Sequence, residues 1–98
     1  LVVLVHFYDK KMEVITETKA RKITDPHEQQ YLENLGKRIK MLREGHNMRY
    51  VQVAVLCKCD SGTISRVEKA RIAAGSLLLF NIAIALHVPI GVLVDFRE

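Results

Sequence analysis

Ser61, Gly62, Ser65 and Arg66 form the group in this chain best suited to chemistry with a partner. Short hydroxyls and a guanidinium can hydrogen-bond to base edges in a DNA major groove. A guanidinium can also meet guanine O6 and N7 with two bonds at once. These residues stand on one side of a helical repeat whose other side carries Ile64 and Val67, three apart and pointing inward. The whole stretch from Ala54 to Glu68 reads as the end of one short helix, a tight turn, and a second helix with Asp60 as its N-cap. Ala54 offers a small contact where two helix backbones must cross. Cys57 and Cys59 place small apolar groups on either side of the turn. Gly62 has two readings: it brings the backbone close to a ligand, or it supplies no side chain and weakens the helix by about 1 kcal/mol relative to Ala.

Other chemistries find less support. Two cysteines one residue apart cannot bridge without strain, and a zinc site would need two further ligands at ordered spacing. His46 and His87 are available, but neither forms a paired motif with the cysteines, so the thiols read as small buried hydrophobes and no metal is expected. Ser61, Ser65 and Ser76 lack a His and acid in a catalytic order. There is no Gly-rich phosphate loop and no His-Glu-x-x-His sequence. Neither an enzyme nor a cofactor is expected.

The elements that must position Arg66 and its neighbours follow from periodicity. With 98 residues, 49% hydrophobic and only six aromatic, the chain suits one small aliphatic helical core. Asp25-Pro26, with Glu28 three after the cap, predicts a helix from Pro26 to about Glu44, ended by Gly45 as a left-handed residue. Leu32, Leu35, Ile39 and Leu42 form its core stripe. Tyr50 to Leu56 is ambiguous, because Val51, Val53 and Val55 alternate as in a strand. Ser76 is expected to cap a helix running to about Leu86 that is apolar nearly all round, and Ile90–Asp95 reads as a short final helix. Ahead of these, Leu1–Tyr8 and Met12–Thr18 are rich in Val, Ile and Thr and favour a strand pair, followed by a polar linker. The domains are therefore an N-terminal extension over residues 1–24 and a helical domain over residues 25–98. Because the chain does not open on Met, either it is a fragment or the residues before Met12 fall outside the natural product. No signal peptide or membrane span is expected, and the cytoplasm is the expected compartment.

The spacing around the turn resembles the helix-turn-helix of the lambda-repressor-like (Cro/cI-type) DNA-binding family. The resemblance runs from about Leu35 to Leu93. Leu35 to Arg43 looks like the family's first helix, and Leu79, Ala83, Leu86, Val88 and Leu93 fall where its fourth and fifth helices keep apolar residues. Tyr50 replaces the usual Gln at the start of the second helix. Lys58, Ala70 and His87 replace glycines, and Ala73 and Ala74 occupy the loop that usually holds a Pro. Lys58 must then adopt a positive φ or reshape the turn.

The resemblance implies a mainly α, five-helix fold and a homodimeric regulator on a near-palindromic double-stranded DNA site. It implies base reading by Ser61, Gly62, Ser65 and Arg66, phosphate contacts at Arg49, Tyr50, Lys58, Thr63 and Arg71, and an ion pair between Arg43 and Glu68. For Tyr50 the hydroxyl would bond a phosphate, or the ring would cover the turn. A dimer interface is implied at Leu77, Phe80, Pro89, Ile90 and Val92. Charge agrees independently: Gly36 to Arg71 holds nine Lys or Arg against three acids, whereas the remainder holds six against eight. An alternative is an antitoxin-like module whose N-terminal extension pairs its strand edge with a partner protein.

Overall fold

The computed structural model describes residues 23–96, which form five helices and no strand. They are α1 (Pro26–Gly45), α2 (Tyr50–Cys57), α3 (Ser61–Glu68), α4 (Ser76–Ala85) and α5 (Ile90–Val94). The expected strand pair and most of the linker lie outside the described residues.

The start of α1 follows its sequence signal: Asp25 caps it by accepting from the His27 N–H at 2.8 Å, with Pro26 at the first helical position. Its end does not. Gly45 is still helical, His46 follows, and Asn47 takes the left-handed conformation at φ 56°. The Met48 N–H then returns to the Arg43 carbonyl at 3.0 Å. Asn tolerates this backbone because its short polar side chain can bond locally. The cap of α4 also differs from expectation. Gly75 is the N-cap, and Ser76 is already the first helical residue.

The ambiguity over residues 50–56 resolves as helix. Val53 faces fully inward while Val51 and Val55, four apart, share the solvent side. Tertiary packing thereby overrides the strand preference of the valines. The core gathers Leu35 and Ile39 from α1, Val53 from α2, Ile64 from α3, Ile82 from α4 and Leu93 from α5. α3 is held between α1 and α2, and α4 packs on α2.

Gly36 makes the α1–α3 crossing possible. A Cβ there would lie 2.8 Å from the backbone carbon of Glu68 and 2.9 Å from the Val67 carbonyl oxygen, so only hydrogen fits. Arg38, counted above as part of the basic section, works internally. Its guanidinium donates to the Val92 carbonyl at 2.9 Å and to the Asp95 carbonyl at 3.2 Å, tying the end of α5 to α1. Among the described residues no helix is long and apolar enough to cross a membrane.

Candidate nucleic-acid interface

α3 is fixed from below and open above. Ile64 and Val67 are buried and Arg66 is exposed, while Ser61, Gly62 and Ser65 are half-buried along the same outer side. Asp60 caps the helix, accepting from the Thr63 backbone N–H at 3.1 Å and also from the Thr63 hydroxyl. Those two bonds, the hydroxyl first, hold the Asp60 carboxyl below the usual carboxylate range. Both donors of Thr63 thus point to Asp60 and not to solvent. In this structure Thr63 is therefore part of the cap of α3.

The turn before α3 keeps the backbone that glycine usually supplies. Lys58 is left-handed at φ 59°, and the Cys59 N–H closes on the Ala54 carbonyl at 3.0 Å. The side chain of Lys58 is carried outward into solvent. Arg49, the N-cap of α2, is also exposed, and its backbone N–H donates to Gln52 Oε1 at 2.7 Å. Arg71, just past α3, is likewise exposed. At such element boundaries a long cationic side chain can reach an anion such as a phosphate.

Beneath this surface Arg43 and Glu68 meet as a bidentate pair. Arg43 Nε donates to Glu68 Oε2 at 2.6 Å and Nη2 to Oε1 at 3.1 Å, while Nη1 donates to the Met48 carbonyl at 2.9 Å. The side chain of Glu68 is 1% exposed. The hydrogen bond to Glu68 raises the Arg43 pKa further above its ordinary value. The Tyr50 ring lies 4.3 Å from the Arg43 guanidinium carbon, a cation–π contact. The Tyr50 ring is thereby packed against the Arg43 side chain. One cluster therefore ties α1, the α1–α2 loop, α2 and α3 together.

The remaining candidates have structural places. Burial, then the neighbouring Cys59, pushes the Cys57 thiol up to about 11, so it stays protonated and unreactive at neutral pH. His46 Nε2 lies 2.8 Å from the Leu86 carbonyl, and its ring meets that of His87 edge-on, which joins the ends of α1 and α4. Among the described residues no group of three or more His, Cys, Asp or Glu could hold a metal. Leu77, Phe80, Pro89, Ile90 and Val92 are all solvent-exposed. Ile84 extends that set, being on α4 at the seven-residue spacing from Leu77 that continues its face.

Sequence reasoning missed Gly36, Arg38 and the bond from the Thr63 hydroxyl to Asp60. Nothing in Gly36 or Arg38 alone marks a backbone crossing or a carbonyl staple, because both depend on residues far along the chain. The Asp60–Thr63–Arg66 spacing was visible, and its three-residue intervals place all three along neighbouring turns of one helix.

No protein-family model matches the chain, and no curated protein matches it. Among solved structures, the crystal structure of the restriction-modification controller protein C.AhdI from Aeromonas hydrophila matches with a TM-score of 0.62 and 22% identity. The match covers 63% of this chain and 94% of that one. At such identity the likeness is one of fold, an all-helical helix-turn-helix architecture.

Proposed function

We propose that this chain is a sequence-specific DNA-binding regulator that acts as a homodimer, with α3 entering the major groove of a near-palindromic site. The observation that carries the reading is the mounting of α3. Its inner side is locked by Ile64, Val67 and the buried Glu68, leaving Ser61, Gly62, Ser65 and Arg66 on an outer side with a single long donor. The exposed cations Arg49, Lys58 and Arg71 stand at helix ends around it, where phosphates would lie. The fold neighbour's name, a restriction-modification controller protein, supports a regulatory role. The DNA-binding unit is residues 25–98, and such a regulator would work in the cytoplasm, beside its DNA.

Selection of bound duplexes from a random pool, followed by titration of variants, tests this. Arg66→Ala is expected to cost about 1–3 kcal/mol on the selected site and to relax preference at one base pair. Arg49→Ala, Lys58→Ala or Arg71→Ala should weaken binding to all sequences alike and lower the salt slope by about one unit. If Arg66→Ala changes neither affinity nor preference while Arg71→Ala alters preference, α3 is not the reading helix.

A further inference from the structure

The Arg66 guanidinium does not stand straight out from α3. It lies back over Gly62, one turn earlier: a Cβ on Gly62 would come within 3.0 Å of Arg66 Nη1 and 3.7 Å of its Cζ. Long helical side chains lean toward the N-terminus, so the residue four positions back decides whether that path is open. The far end of the side chain is also engaged. Arg66 Nη2 makes a long hydrogen bond to Thr63 Oγ1 at 3.4 Å and stands 4.0 Å from Asp60 Oδ1. That same Asp60 oxygen accepts from both donors of Thr63, so the hydroxyl is oriented with its lone pairs free toward Arg66.

We propose that Asp60 and Gly62 are positioning residues for base recognition, which set the direction from which Arg66 meets a guanine. Gly62 leaves the lane along which the guanidinium lies, and the Asp60–Thr63 pair steadies its end. Arg66 then reads near the N-terminal end of α3 rather than outward from its own Cα. This rests on α3 being the recognition helix. A guanidinium biased toward one orientation loses less freedom on forming two bonds to a base, so the arrangement acts on choice of sequence more than on affinity. The Asp60 carboxylate itself repels phosphates, so removing its charge should favour DNA in general while loosening the choice.

Two variants separate this role from a merely structural one. Asn caps helices about as well as Asp, so Asp60→Asn keeps the cap and removes only the charge. Gly62→Ala improves helix propensity while its Cβ crowds Arg66 Nη1, which must give by a few tenths of an ångström. In the full chain, the base pair whose preference Arg66→Ala abolishes defines the reading position. Competition binding there should show guanine preference reduced about twofold to fivefold in Asp60→Asn and in Gly62→Ala. Affinity of Asp60→Asn for random duplex should be undiminished, and the Tm of Gly62→Ala should equal or exceed that of the wild type. Unchanged guanine preference in both variants, in a wild type that does select a sequence, would overturn the positioning role and leave DNA binding standing. A wild type that selects no sequence overturns both.

Discussion

Arg43 and Glu68 bind three parts of the chain at one point, and their energetics follow from burial. Two charges removed from water gain from each other only when geometry is good and the remaining donors are satisfied. Here both conditions hold, since the fork is bidentate and a third donor reaches Met48. Among the described residues no buried side-chain nitrogen or oxygen lacks a partner. Glu68→Ala would leave a guanidinium nearly out of water, at an expected cost of about 3–5 kcal/mol. Arg43→Ala should cost a similar amount. The double variant should cost much less than the sum, with a coupling of about 2 kcal/mol. Urea denaturation of the four proteins measures it, and a coupling below about 0.5 kcal/mol would mean the pair is only a contact of convenience.

At the scale of the helix, the ends of α1 to α4 share one device. Asn47, Lys58, Ala70 and His87 are all left-handed, and no described glycine is. After α3, the Arg71 N–H returns to the Arg66 carbonyl at 2.9 Å and the Ala70 N–H to Val67 at 3.1 Å; after α4, Val88 returns to Ala83 at 3.0 Å. The hydrogen-bond pattern that ends these four helices therefore survives without glycine. A left-handed non-glycine residue costs about 1–2 kcal/mol, partly offset by the extra unfolded-state freedom glycine would bring. Ala70→Gly should then stabilise the protein by about 0.5–1 kcal/mol, raising Tm by several degrees, about 4–8 °C per kcal/mol for a domain of this size. A lower Tm would show that Ala70 makes contacts worth more than its strain.

The same helices show what could be read in advance. Element order and core positions were legible, because the three- and four-residue spacing of Leu32, Leu35 and Ile39 and the short inward pair Ile64 and Val67 need no tertiary knowledge. Helix ends were less so: Gly45 looked like a terminator, but the chain turns two residues later at Asn47. Close approaches were invisible. Gly36 belongs to an otherwise ordinary helical run, and only the backbone of Glu68 across from it explains the residue. Gly36→Ala gains about 1 kcal/mol of helix propensity but forces α3 away from α1, which typically costs about 1–3 kcal/mol and here also strains the Arg43–Glu68 fork. A net loss of stability in chemical denaturation is expected. A gain would mean the two helices can separate freely.

On the scale of the whole molecule, the deciding quantity is exposed apolar surface. Leu77, Phe80 and Ile84 run along one side of α4, and Ile90 and Val92 extend the exposed apolar surface onto α5, which packs beside it. Exposed apolar side chains grouped along neighbouring helices suit association, and a second copy covering them would form an isologous dimer. Two α3 helices would then face the same side of a duplex about 34 Å apart, one turn of DNA, which requires a near-palindromic site. Leu77→Asp and Ile84→Asp test this without threatening the monomer, since both side chains are more than half exposed. Sedimentation at tens of micromolar should show a dimer for the wild type and monomers for each variant. Their DNA affinity should fall more steeply on a two-half-site duplex than on a single half-site. Val55→Asp is the control, because Val55 is equally exposed but lies on α2. Dissociation by Val55→Asp alone would move the interface to α2 and change the spacing of the two reading helices, whereas a wild type that sediments as a monomer would remove the palindrome from the reading altogether.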